Sequence, residues 1–359
     1  MDKKVLITVI LIAIIAAISV GVFLFRGGKI PIPPIAPIKP MPPIIDETGA
    51  TPESEEAVVN ANNQFAFDLY SELKNKEEDN FFFSPYSIPT ALAMVYEGTR
   101  GQTAKEIQSV FHFPEDSRMR RSSFAAIHNQ INKKDTDYKL HIANALWVQK
   151  DYKLLQEYIN VVEKYYAGKA TNVDFAQATE EARKLINGWV EDKTNQKIKD
   201  LFPQGSLTNL TRLVLTNAIY FKGDWIKQFD KKKTREEDFR VSQDKTIKAP
   251  MMRRTDKDSK FNYAETEDLQ ILEMLYKGKD LSMLVLLPKG DGLRKLEESL
   301  TADKLKEWRN KLNEERVDVY MPKFTFSSKY FLNENLKEMG MPSAFIPDSA
   351  DFSGIDGAK

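Results

Sequence analysis

The sequence contains no cysteine, so disulfides, thiolate nucleophiles and cysteine-ligated metals are all excluded, and the usual clue to redox compartment is silent. Histidine is almost as scarce: His112, His128 and His141 are the whole supply, too few for a histidine-rich metal centre. Neither sign of charge predominates, because 52 basic residues offset 52 acidic ones among 359. A nucleic-acid-binding protein needs a basic face to displace counterions from phosphates, and this balance speaks against one. Catalytic signatures are missing too. There is no G-x-S-x-G elbow, no H-E-x-x-H and no G-x-x-x-x-G-K-[ST]. Gly290-Asp291-Gly292 follows a strand pattern but lacks the third glycine of a dinucleotide loop, so it reads as a plain loop. His141 falls within a strand, and Glu180 and Glu181 fall on a solvated helix face. An enzyme is therefore the least supported class, and no catalytic residue, cofactor or metal is expected.

What is present begins at the N-terminus. Val5 to Phe25 is a run of 21 residues in which only Thr8, Ser19 and Gly21 are not clearly apolar. At about 1.5 Å per residue such a helix spans roughly 30 Å, the thickness of a bilayer's hydrocarbon core. Lys3 and Lys4 flank it on one side, Arg26 and Lys29 on the other, and the N-terminal amine tips the orientation towards N-terminus inside. The rival reading is a cleaved signal, whose apolar stretch is normally about 7–15 residues and ends at a small-x-small site. Either way residues 1–29 direct the rest of the chain to the outer face of the membrane or beyond it.

Residues 30–56 read as a linker. Pro31 to Pro43 holds seven prolines in thirteen residues, an extended polyproline spacer, and the acidic stretch 46–56 reads as a flexible join. Residues 57–359 have ordinary globular composition without a second linker, and form one expected domain.

Within that domain Val58, Ala61, Phe65, Ala66, Leu69 and Leu73 recur at helical spacing. Thr103 and Glu106 read as a capping box ahead of Ile107 and Val110. Ala182, Leu185, Ile186, Trp189 and Val190 mark another apolar helical face. The segments 140–148 and 213–221 read as strands, the second buried on both faces. ILEMLY and LSMLVLLP, joined by Lys277–Asp280, read as a hairpin, and 316–326 as a strand with Pro322 at an edge or bulge. The expected class is α+β, a large mixed sheet with smaller sheets and helices packed on it. Asn209-Leu210-Thr211 is a glycosylation sequon on an apparent loop.

Seven segments, in order, resemble the serpin family: 81–107 (FFFSPYSIPTALAMVYEGTRGQTAKEI), 140–149, 185–202 (LINGWVEDKTNQKIKDLF), 211–229 (TRLVLTNAIYFKGDWIKQF), 281–290, 317–326 and 339–355 (MGMPSAFIPDSADFSGI). They cover essentially all of 57–359. Gln196 stands where the family usually has glycine in a turn. The resemblance implies that Ser84, Ser87 and Asn217 lie under the centre of the main sheet, in the region that must part. It implies that Trp225 and Lys323 lie at the top of that sheet, where loop insertion begins. Serpins trap serine or cysteine-type endopeptidases: an exposed loop is cleaved and inserts as a new central strand, carrying the acylated protease with it. In the family the motif with which this sequence ends is followed by a central sheet strand, a small-residue hinge, that loop and several closing strands, so the resemblance places all of these, and the contact with a target protease, after Lys359. The expectation is a monomeric, membrane-tethered or secreted inhibitor in the intact product, inactive in the chain as it stands. The alternative is a non-inhibitory serpin-fold scaffold at the cell surface.

Overall fold

The two apolar strand patterns pair with each other. In the computed structural model, which describes residues 44–358 apart from 77–79, 134–136 and 243, β1 (Tyr138–Gln149) runs antiparallel to β3 (Leu213–Gly223) along their full length. The register sets Asn144 opposite Asn217. Strand β2 (Gly168–Val173) lies parallel along the other edge of β1, reached through helix α5 (Gln156–Tyr166), which supplies the crossover a parallel pair requires. Alternate residues point to opposite faces, so this one sheet has two apolar surfaces. Ile142, Leu146 and Val148 with Leu213, Leu215 and Ile219 face the main core. Ala145, Trp147 and Val214 face α6 (Thr179–Lys193), packing on Ala182 and Ile186. Burial on both sides is the reason 213–221 reads as an almost continuous apolar run.

Two further sheets complete the architecture, in the strand orders β10-β5-β4 and β8-β7-β6-β9. The first comprises β4 (Arg235–Ser242), β5 (Lys245–Arg254) and β10 (Val319–Pro322); the second comprises β6 (Lys260–Glu265), β7 (Leu269–Leu275), β8 (Ser282–Pro288) and β9 (Asn313–Arg316). The hairpin expected around Lys277–Asp280 is β7–β8, its turn formed with positive φ at Gly278 and Lys279. Pro322 ends β10, an edge strand, where its missing N–H costs no ladder bond. The long strand expected over 316–326 is broken instead: β9 and β10 join different sheets. After the Lys323 N–H, which donates to the Pro250 carbonyl of β5, no further strand pairing is formed among the described residues, although exposed Lys323 and Thr325 still alternate with half-buried Phe324 and Phe326.

The helices lie around these sheets. Helix α1 (Pro52–Leu73) buries the six apolar positions expected of it against α4 (Ser117–Ile131) and α8 (Ala302–Arg309). It starts five residues before position 57, the expected beginning of the domain. Thr51 caps the helix through its hydroxyl, which accepts from the Ser54 N–H at 3.2 Å, Pro52 occupies the first turn, and Glu53 and Glu55 face the positive end of the dipole. Upstream, Ile45 is buried, its backbone clasped by the Asn129 side chain at 2.9 and 3.0 Å, so the packed chain includes the stretch read as a flexible join. The capping box at Thr103 and Glu106 is likewise not formed. Helix α3 (Gly101–Val110) starts earlier, and those side chains instead hold the C-terminal segment: Thr103 accepts from the Asp351 N–H at 3.0 Å and Glu106 from Ser343 at 2.6 and 2.9 Å. In α6, Ala182, Ile186 and Val190 are buried, but Leu185 is 53 % exposed.

Helix α2 (Ser87–Glu97) and the short α10 (Ser353–Asp356) meet at Gly98, where any Cβ would come within 2.1 Å of the Ile355 side chain. Two short helices, α7 (Leu293–Ser299) and α9 (Asn333–Glu338), complete the set described. Among the described residues no helix is long and apolar enough to cross a membrane; Val5–Phe25, the segment read as an anchor, lies outside them. No group of residues among those described is arranged to hold a metal ion.

Candidate functional site

Three of the residues singled out from the sequence come together beneath the β1–β3 pair. Ser84 sits just before α2, and its hydroxyl accepts from the Ser87 N–H at 3.2 Å. Ser87, the first residue of α2, donates its hydroxyl proton to Asn217 Oδ1 on β3. Asn217 in turn donates from Nδ2 to Asn144 Oδ1 at 2.7 Å, and Asn144 donates to the Tyr166 carbonyl at 2.6 Å. The result is one hydrogen-bonded chain from α2, across two strands, to the last residue of α5. It is needed because Asn144 and Asn217 point into an apolar core, where an unpaired amide costs about 1–3 kcal/mol.

Asn144 was not singled out from the sequence. The signal for it was an asparagine in an otherwise apolar alternating strand, but its partner across the sheet depends on register, which only the paired strands reveal.

The chain continues into a buried charge cluster that sequence reasoning also missed. The Tyr166 hydroxyl donates to Glu97 Oε1 at 2.8 Å, and burial pushes that phenol well above its usual range, so its proton stays available for the bond. Glu97, its side chain 2 % exposed, also accepts from Arg120 at 3.2 Å and from Arg121 at 2.6 and 2.9 Å. Arg120 is itself buried and packs over the Tyr96 ring. These groups come from α2, α4 and α5, elements far apart in sequence, which is why no local motif announces them.

Trp225 and Lys323 are placed differently. Trp225 stacks on Tyr276 with ring centroids 4.0 Å apart and bridges the end of β3 to β7. Lys323 is exposed just after β10, tied to β5 by its backbone N–H donating to the Pro250 carbonyl at 2.8 Å. Among the described residues no hydrogen bond or ring contact joins the two side chains. The other candidates are peripheral: His141 is exposed on β1, and Asn209 is exposed in the turn before β3.

Beside Asn217, β3 pairs with β1 alone among the described residues, so its other edge carries no partner strand. An edge whose N–H and C=O groups have no ladder partner among the described residues can pair with a further strand. Comparison with known proteins gives the family. The family model for serpins (serine protease inhibitors) matches residues 60–359. The chain belongs to the serpin family.

Human Serpin B3 is 44 % identical over 319 residues, covering 83 % of this chain and 81 % of its own length. A serpin-like protein of Methanosarcina acetivorans is 42 % identical over 306 residues, covering 84 % and 71 %. Among solved structures, emu ovalbumin superposes with a TM-score of 0.81 at 34 % identity, covering 84 % of this chain and 82 % of that one. The serpin fold, a mixed α+β domain with several sheets, is thereby shown for this chain. The family as a whole is one of protease inhibitors.

The Gln196 departure now has a physical reading. Asn195 and Gln196, just after α6, both have positive φ, 51° and 62°, and the Gln196 N–H closes the helix on the Glu191 carbonyl at 2.7 Å. Glycine suits such a position because it has no Cβ to clash there.

Proposed function

We propose that this serpin is the frame of a conformational-trap inhibitor of serine or cysteine-type endopeptidases, tethered to the outer face of a membrane through residues 5–25. The observation that supports it is the edge of β3, without a strand partner among the described residues, above the Ser84–Ser87–Asn217–Asn144 chain. A strand added there gains a full ladder of backbone hydrogen bonds, while the polar chain beneath is satisfied without it. Inhibitory serpins act by taking the cleaved loop into the sheet as a new central strand, with release of stored strain, and β3 is the strand beside which it would enter. In this reading Ser84, Ser87 and Asn217 hold the floor of the insertion site. Trp225 and Lys323 mark the end at which insertion starts. The target protease enters as substrate-cleaving enzyme and ends as a trapped acyl-enzyme.

The test compares residues 1–359 with the product of the reading frame continued past the Lys359 codon. Each is mixed with serine and cysteine proteases and run on denaturing gels. The continued product should give a detergent-resistant complex, and 1–359 none. Cleavage of the continued product without any complex would replace this reading by the second, a non-inhibitory scaffold. Likeness to ovalbumin keeps that second reading in view. The residues after Lys359 separate the two as well: small residues can slide into a sheet, whereas bulky, charged or proline residues cannot.

A further inference from the structure

Asn209-Leu210-Thr211 is the one Asn-x-Ser/Thr sequence in the chain. It occupies a tight turn between α6 and β3, closed by the Thr211 N–H donating to the Thr208 carbonyl at 3.0 Å. Most of the turn's backbone groups are engaged. Thr208 Oγ1 accepts from the Leu210 N–H at 3.2 Å, and Thr211 Oγ1 accepts from the Thr208 N–H at 3.1 Å. Arg212 Nη1 donates to the carbonyls of Asn209 and Thr211 at 2.9 and 3.1 Å.

The Asn209 carboxamide, by contrast, is exposed and makes no hydrogen bond among the described residues. The Thr211 hydroxyl accepts one bond and keeps its proton free to donate. Leu210, between them, is 74 % exposed, an apolar side chain that nothing in the turn covers. A free acceptor amide, a donor hydroxyl two residues on, and a bare apolar surface thus project together from a backbone that does not depend on the Asn209 or Leu210 side chain for its shape.

We propose that Asn209 is an acceptor for an N-linked oligosaccharide. The co-reactant is a polyprenyl-diphosphate-linked oligosaccharide. Asn209 Nδ2 forms a bond to C1 of the first sugar, the C1–O bond to diphosphate breaks, the polyprenyl diphosphate leaves, and one amide proton passes to a base of the transferase. The glycan then covers Leu210. The turn lies at the Leu213 end of β3, and Trp225 lies beyond the opposite end. Eleven residues at about 3.3 Å each put roughly 35 Å between them, so the sugar stands clear of the end where the proposed function places loop insertion.

The test translates the full chain into membrane vesicles that carry an oligosaccharyltransferase and its lipid-linked donor. The expected product carries one glycan, removable by a glycoamidase that leaves aspartate at position 209. Asn209→Gln and Thr211→Val should each abolish it, with unchanged thermal melting showing that the fold is intact. An unshifted mass in the unaltered chain, or a glycan that persists in Asn209→Gln, overturns the assignment. Protease protection of the domain inside the vesicle tells whether export or acceptance failed, and either failure counts against it. Because the readout is mass and not inhibition, the outcome is independent of whether the serpin traps a protease.

Discussion

Asn217 has a hydrogen-bond partner on each side, Ser87 and Asn144, so its loss is felt by both. Asn217→Ala leaves two half-buried or buried polar groups without their partner, and the expected destabilisation is about 1–3 kcal/mol. It should appear as a lower urea midpoint, and a midpoint equal to that of the unaltered chain would show the polar chain to be dispensable. His128 gives a pH-dependent counterpart. Its Nε2 accepts from Asn132 at 3.1 Å, its Nδ1 is buried without a partner, and burial lowers its pKa from 6.5 to about 4. A depressed histidine stays neutral in the folded state while the unfolded chain takes up a proton. Stability is therefore fully present above about pH 6.5 and falls as pH drops towards 4. The loss between pH 7 and 5 should be about 2 kcal/mol. Urea titrations at the two pH values measure it, and His128→Gln should flatten the difference.

At the scale of elements, α6 shows how a local departure can be tolerated. Its acidic first turn, Glu180 and Glu181, and Lys193 in the last turn match the helix dipole, and its buried face packs on β1 and β3. Against that, two consecutive left-handed residues that are not glycine follow the helix. Gln196→Gly should stabilise the protein by about 1 kcal/mol, because the Cβ strain in that conformation is removed, less the extra freedom glycine gains when unfolded. The measurement is the unfolding midpoint, and a lower midpoint would show that the Gln196 side chain contributes more than its strain costs.

For the whole molecule, the central sheet is the part on which the proposed activity depends. Its outer face is covered by α6 and its inner face by the main core, which leaves its two edges, β2 and β3, as the directions in which it can grow, and the proposed reading takes the β3 edge beside Asn217. If a cleaved loop fills that edge, the continued product should melt at a higher temperature after cleavage than before. Residues 1–359 treated with the same protease should show no such rise. Calorimetry before and after limited proteolysis checks it. A continued product whose melting point is unmoved by cleavage would point to the scaffold reading.

Periodicity and composition made much of the fold legible. The buried face of α1, the β7–β8 hairpin and the two central strands follow from 3.6- and 2-residue repeats, because burying one face of a regular element leaves that repeat in the sequence. The resemblance to serpins further pointed to Ser84, Ser87 and Asn217. What the sequence could not determine is everything that depends on register or on contacts between distant elements. Asn144 became part of the site only when β1 paired with β3. Glu97 found Arg120, Arg121 and Tyr166 only when three helices met. Thr103 and Glu106 have the spacing of a cap, yet the tertiary structure gave them to Ser343 and Asp351 instead. A side chain that can satisfy its own helix or a distant backbone takes whichever the packed fold brings within hydrogen-bond reach, and local sequence carries no record of that choice.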